Sequence, residues 1–209
     1  MARYTGPKCR RCRHAGMKLF LKGEKCINNC PLDKDRKVSH PGMHRFRRRV
    51  TGYATQLLEK QKTRDIYGVL EAQFRRYVDD AERRPGVTGH TLVRTLERRL
   101  DNAIYRAGFA TSRSQARQWV CHGHFQVNGR RVNIPSALLK AGQVIALRKT
   151  SRLTPLVGIN LKRSKEMGLA PSWISVDADK KEATYLRTPE RNEVLLDIQD
   201  RLIVEFYTR

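Results

Sequence analysis

Carboxylates are scarce in this chain: 20 Asp and Glu stand against 43 Lys and Arg over 209 residues, a formal net charge of +23. Charge so one-sided repels itself, and a polyanion that neutralises it is the natural partner. RNA, DNA and an anionic membrane are the candidates. Long apolar runs are missing as well. Nothing approaches the ~18 residues that a transmembrane helix needs, and there is no lipidation motif, so no membrane role is expected. The opening Met1-Ala2-Arg3-Tyr4-Thr5-Gly6-Pro7 lacks the apolar core of a secretory signal, which points to the cytoplasm or an equivalent reducing compartment. No internal repeat and no long low-complexity segment is present. No phosphate-binding glycine loop appears, no nucleophile comes with a base and an orienting group, and the carboxylates scatter along cationic helices, so an enzyme is not expected.

Among what is present, Arg98 to Val132 is the most informative stretch. Leu92, Leu96, Leu100, Ala103, Ile104 and Ala107 recur at helical spacing, which predicts one helix from about Thr91 to Ala107, ended by Gly108. Ser112 with Gln115 forms a capping-box pattern for a second, shorter helix through Ala116, Trp119 and Val120. Phe125 and Val127 then alternate up to Asn128-Gly129, a strong hairpin signal, and an apolar strand from Val144 to Leu147 follows. The positions outside the apolar stripes are cationic: Arg94, Arg98, Arg99, Arg106, Arg113 and Arg117 on the helices, with His122, His124, Arg130 and Arg131 around the hairpin. Arg113 and Arg117 lie one turn apart without an acidic residue between them, and guanidinium offers a planar fork to phosphate oxygens. A surface that sits on nucleic-acid phosphate is the expectation, with a merely solvated face as the plain alternative.

The first forty or so residues have few apolar side chains and need another source of order. Cys9 and Cys12 form a C-x-x-C pair, and Cys26 and Cys30 a C-x-x-x-C pair. The segment between them is long enough to close a tetrahedral four-thiolate site, so one structural zinc ion is expected. Two disulfides, which a reducing compartment disfavours, and chance clustering of free thiols are the alternatives. Cys121 stands alone and is expected to be a small buried hydrophobe. From Arg45 to Ala81 the sequence predicts two helices broken near Gly52 and Gly68, with Arg45, Arg47, Arg48 and Arg49 as a further phosphate-facing patch. In the tail, a basic connector punctuated by Pro155, Gly158, Gly168 and Pro171 leads to a strand at Trp173–Val176. A helix from Glu190 to Arg201 is expected after it.

The segments ARYTGPKCRRCR, LLEKQKTRDIYGVLEAQFRRY, RRLDNAIYRAGFATSRSQARQWVCHGHFQVNGRRV and RLIVEFYTR carry a specific resemblance. Over essentially its whole length the chain resembles ribosomal protein S-four, the family of the fourth protein of the bacterial small ribosomal subunit. The cysteines match its zinc-binding branch. The resemblance implies an α+β fold in four parts: a zinc-binding segment (1–44), a helical domain (45–97), an inserted helix-helix-β RNA-binding module (98–150), and a tail (151–209) that packs back on the helical domain. It also implies a cytoplasmic, small-subunit protein of a bacterium or an organelle-encoded equivalent. Such a protein binds the 5′ domain of small-subunit rRNA directly and nucleates assembly. Contact with the fifth small-subunit protein, a position beside the channel by which mRNA enters, a share in translational accuracy, and repression of its own message are further implications. In His40-Pro41-Gly42-Met43-His44 the family leads one to expect a glutamine in place of Met43. Similar modules are appended to pseudouridine synthases and to a tyrosine-activating tRNA synthetase, which need an additional catalytic domain. A stand-alone ribosome-rescue or RNA-chaperone module is a third reading, disfavoured by the cysteine cluster and the full-length match.

Overall fold

The computed structural model describes residues 3–34, 41–42 and 51–208, and the chain divides into two compact units, 1–93 with 195–209, and 94–194. The first unit is helical. Short helices α1 (Lys8–Ala15) and α2 (Glu24–Asn28) carry Cys9, Cys12 and Cys26, and Cys30 directly precedes a third, α3 (Pro31–Lys34). Helix α4 (Gly52–Tyr67) starts where the Thr51 side chain accepts a hydrogen bond from the Ala54 amide at 3.3 Å. It stops at Gly68, whose φ of 64° an L side chain rarely adopts. Helix α5 (Glu71–Glu82) buries Phe74, Tyr77, Val78 and Ala81, the three-to-four spacing of a core-facing stripe. Both helices fall where the sequence predicts them.

Helix α6 (Thr88–Glu97) follows, and the division between units falls within it. The last helix of the chain, α10 (Asp200–Tyr207), returns to α4 in the first unit. Gln56 Nε2 donates to Glu205 at 3.1 Å, the Gln199 amide donates to Glu59 at 3.2 Å, and the Tyr53 and Phe206 rings lie 5.6 Å apart. Glu71 holds the end of α10: its carboxylate accepts from Lys60 at 2.9 Å, Arg64 at 2.8 Å and the Tyr207 hydroxyl at 2.7 Å. Burial alone would raise the Glu71 pKa, but these donors outweigh it and hold the carboxyl below its usual range. Burial and the Glu71 carboxylate push the Tyr207 phenol up.

The second unit is α+β. After α6 come α7 (Leu100–Arg106), α8 (Arg113–Cys121), strands β1 (Phe125–Val127), β2 (Arg130–Arg131) and β3 (Gln143–Leu147), helix α9 (Thr154–Glu166), strands β4 (Ile174–Asp177) and β5 (Glu182–Tyr185), and a 3-10 turn at Arg191–Glu193. The sheet is antiparallel in the order β2-β1-β3-β5-β4, with Phe125 opposite Leu147 and Ile145 opposite Ala183. Leu100, Ala103, Ile104, Ala107, Ala116 and Val120 from the helical pair are fully buried, as are Phe125, Ile145 and Tyr185 from the sheet. Phe109 meets Phe125 edge to face at 5.5 Å. Helix α9 closes on this core through Val157 and Leu161, with Asn160 donating to the Phe109 carbonyl at 2.8 Å.

Four expectations are corrected. The single helix from Thr91 to Ala107 is two helices, because Arg99 adopts an extended backbone (ψ 137°). The break recovers its hydrogen bonds from the segment 135–139: the Leu139 amide donates to Arg98 O, and the Leu100 and Asp101 amides donate to Ala137 O and Pro135 O. The apolar stripe stays in phase across the break, which is why periodicity conceals it. The basic connector is helix α9, with Pro155 in the first turn, where a missing N–H costs nothing. The helix expected from Glu190 to Arg201 is instead the 3-10 turn, closed by a reciprocal Glu190–Glu193 capping box, followed by non-helical chain to Gln199. Val194 and Ile198 mimic helical spacing, yet each is buried in a different unit. Cys121, expected inside, is exposed on the last turn of α8.

The expected strand at Trp173–Val176 is present as β4. Its role is larger than the sequence suggests, since β4 and β5 extend the sheet begun by the hairpin. Residues 151–194 therefore sit with the module, and 195–209 with the first helices.

Candidate nucleic-acid interface

The cationic residues of the second unit fall into two groups with different surroundings. One is the hairpin cluster. Asn128 (φ 48°) and Gly129 (φ 78°) make the tight turn that sets Arg130 and Arg131 on the exposed edge strand β2. The Arg131 guanidinium lies over Gly123, where a Cβ would stand 2.3 Å from its Nε, so a larger residue at 123 would displace it. Arg148 Nη1 donates to the Gly123 carbonyl at 3.3 Å from the other end of the sheet pairing. His122 is exposed, and its ring centroid is 6.1 Å from that of His124. His124 Nδ1 lies 3.0 Å from Ser151 Oγ. Burial lowers the His124 pKa, and the nearby His122, Arg148 and Arg131 lower it further, as expected where positive charge is concentrated. Among the described residues no carboxylate pairs with Arg130, Arg131 or Arg148.

The other group lies beneath the helical pair. Arg99 is 1% exposed and grips Asp101 with both ends of its fork, Nε to Oδ1 at 3.0 Å and Nη2 to Oδ2 at 2.7 Å. Arg117 is 8% exposed and reaches the same carboxylate at 3.3 Å. Arg106 forms a fork with the buried Glu97 at 3.1 and 2.8 Å. Arg113 Nε donates to Asn102 Oδ1 at 2.8 Å, and its guanidinium stacks 4.5 Å from the Tyr105 ring. Arg99 and Arg117 are thus not on a solvated face, and Arg117 does have an acidic partner. Arg98 is half-buried with Nε donating to Leu139 O at 2.9 Å, while Arg94 is exposed. Arg45, Arg47, Arg48 and Arg49, and Met43 with them, lie outside the described residues.

Sequence reasoning missed Glu97, Asp101 and Asn102, which organise this second group. Their signal was visible: two acidic residues four apart, at the edge of an apolar stripe on an otherwise basic segment. It also missed Arg148 and Ser151, which only the return of β3 beside β1 brings to the hairpin.

In the first unit, Cys9, Cys12, Cys26 and Cys30 line one small cavity of about 20 Å³. Cys12, Cys26 and Cys30 are buried, and the Lys22 amide donates to Cys26 Sγ at 3.2 Å. Burial pushes the Cys12 thiol up, and the neighbouring sulfurs add to it. All five cysteines are free. No group of three or more His, Cys, Asp or Glu among the described residues is drawn close enough to hold a metal ion, so the expected zinc knuckle is not shown.

Two family models match consecutive parts of the chain: "Ribosomal protein S4/S9 N-terminal domain" over residues 3–97 and "S4 domain" over 98–145. The chain belongs to the bacterial uS4 family of small-ribosomal-subunit proteins. Small ribosomal subunit protein uS4A of Symbiobacterium thermophilum is 53% identical over 216 residues, covering all of both chains. The uS4 proteins of Pelotomaculum thermopropionicum and Natranaerobius thermophilus are 51% and 50% identical over 211 and 212 residues, again end to end. The S4 match contains α7, α8 and the hairpin, and with them the cationic residues of both groups except Arg94 and Arg148; Glu97 and Ser151 also lie outside it.

Proposed function

We infer that the hairpin cluster of Arg130, Arg131, Arg148, His122 and His124 is the main phosphate-contacting surface by which this chain holds small-subunit rRNA. As a uS4-family member the chain is a structural constituent of the bacterial small ribosomal subunit, binds its RNA, acts in the cytoplasm and is not an enzyme. No described helix is long and apolar enough to cross a membrane. The single observation behind the surface assignment is that these cations stand around the hairpin, on β2, just before β1 and just after β3, without a carboxylate partner among the described residues. Such a cluster gains most by meeting a polyanion.

The test is a titration of folded 5′-domain rRNA at several salt concentrations. Log affinity falls with log salt at about −0.7 to −0.9 per phosphate neutralised. Replacing Arg130 and Arg131 together by glutamine is expected to flatten that slope by roughly 1.5 and weaken binding at low salt. An unchanged slope and affinity in the folded variant would show that the edge is merely solvated.

Several finer roles rest on the family resemblance: early binding to the 5′ domain that nucleates assembly, contact with the fifth small-subunit protein, a place beside the channel by which mRNA enters, a share in decoding accuracy, and repression of the chain's own message. One structural zinc ion on Cys9, Cys12, Cys26 and Cys30 belongs to the same proposal. It is supported by the two cysteine pairs, by the cavity that all four line, and by the amide already donating to Cys26 Sγ. Four thiolates would close the coordination sphere, so such an ion would order the segment and leave no open position for catalysis.

A further inference from the structure

Helix α9 carries its residues the wrong way round for a helix on a solvated surface. Its inner face sets Asn160 and Ser164 beside Val157 and Leu161. Its outer face carries Leu156, Ile159 and, at the C-terminal cap, Met167, which are 43%, 64% and 49% exposed. The fold accounts for the inner residues. Asn160 donates to the Phe109 carbonyl at 2.8 Å, and a Cβ on Gly108 would stand 2.2 Å from Ser164 Oγ, so that close crossing takes a small side chain. The fold does not account for the outer ones. Leu156, Ile159, Arg163 and Met167 follow one another at intervals of three and four, a single ridge along the helix. Leu169, 60% exposed, comes just beyond it. One exposed aliphatic side chain is ordinary, whereas a row of them marks a surface that another molecule covers. Isoleucine is also a poorer helix former than the lysine or glutamate that suits an exposed position. Helix α5 shows the contrast, with Arg75, Arg76, Asp80 and Glu82 facing outward.

Positive charge frames the ridge. Arg152, Lys162 and Lys165 are exposed along it. Lys181, from the turn between β4 and β5, reaches the flank of the helix, its Cε 4.0 Å from where a Cβ on Gly158 would stand. None of these four pairs with a carboxylate among the described residues, and Glu166 is the one acidic residue of the helix.

We propose that the outer face of α9 is a protein-docking surface, and that its partner is a different chain of the small subunit, with an apolar patch rimmed by Asp and Glu. The contact is additional to the RNA contact of the hairpin. RNA is the wrong occupant for the ridge: bases stack on aromatic or guanidinium planes and phosphates take donors, and Leu156, Ile159 and Met167 offer neither. A second copy is the wrong occupant as well. In a two-fold contact one patch meets itself, which would set Arg152, Lys162, Lys165 and Lys181 against their own copies on a chain of net charge +23. An acidic rim around an apolar patch answers both features. The aliphatic ridge then lies at the dry centre of the contact, and the lysines and Arg152 lie at its margin.

The experiment places the photo-reactive amino acid p-benzoylphenylalanine at position 159 of the full chain, lets the chain assemble into small subunits in the cell, and irradiates the purified particles. Ile159 lies outside the core, so the label does not disturb packing. The expected product joins this chain to one other subunit protein, and mass spectrometry of the crosslinked peptide finds Asp or Glu beside the point of attachment. A second arm varies the charge at the ridge while the label stays at 159. Leu156→Glu is expected to lower the crosslink yield about tenfold and Leu156→Lys only about threefold, because a like charge against an acidic rim is the more costly. Equal losses for the two charges overturn the acidic rim. A crosslink to rRNA or to a second copy, attachment to a segment without carboxylates, or no crosslink at all overturns the proposal. If the label keeps the chain out of the particles, it is moved to Met167 on the same face and read against the same outcomes.

Discussion

Arg99, Arg113 and Arg117 look alike in the sequence and do different things in the molecule. Arg99 is a core residue whose charge is held by Asp101, whereas Arg130 and Arg131 are exposed and have no carboxylate partner among the described residues. Removing one partner from a buried pair strands the other charge, and this typically costs about 3–5 kcal/mol. Asp101 accepts from Arg99, from Arg117 and from the Asn102 amide at 2.9 Å. Asp101→Ala is therefore expected to lose stability in that range by urea denaturation, while Arg130→Gln and Arg131→Gln each stay within about 0.5 kcal/mol of wild type. A small loss in Asp101→Ala would mean that the buried guanidiniums find water. Spacing alone shows that residues 113 and 117 share a face. It does not show that α7 places a carboxylate under that face, because a contact across sixteen residues of chain has no local signature.

At the level of elements, two helical attachments in the first unit decide how its ends are held. Gly89 on α6 approaches the first residue of α10 so closely that a Cβ would stand 2.5 Å from Asp200 Cβ. Alanine is the better helix former by about 1 kcal/mol, yet Gly89→Ala is expected to destabilise by about 1–3 kcal/mol through overpacking. A denaturation midpoint that rises would show that α10 moves aside freely. The second attachment is the segment α1 to α3, where four cysteines surround one cavity. Protein purified without chelator is expected to carry about one equivalent of zinc on elemental analysis, and chelation should lower the helical signal of this segment. Metal below a tenth of an equivalent would count against the ion. The capping signals Ser112 and Gly68 were legible because they act within four residues. The Arg98–Arg99 break and helix α9 were not. The first depends on hydrogen bonds from residues 135–139. In the second, the buried face mixes Val157 and Leu161 with Asn160 and Ser164, so the apolar stripe is too thin to read.

For the whole molecule, net charge and family membership point to the same setting, and purified bacterial small subunits are expected to contain about one copy of this chain per particle by quantitative mass spectrometry. Free chain without any in the particles would contradict the assignment. The sequence by itself determined the cationic character, the helical pair and hairpin, the cysteine pairs and the family, because each depends on composition or on residues close along the chain. Tertiary structure alone decided which arginines are structural and which face outward, that the sheet is completed by β4 and β5, and that the tail divides between two units. The reason is physical: a guanidinium becomes buried structure or free surface according to which distant carboxylate or carbonyl the fold sets beside it, and nothing in its own neighbourhood of sequence records that partner.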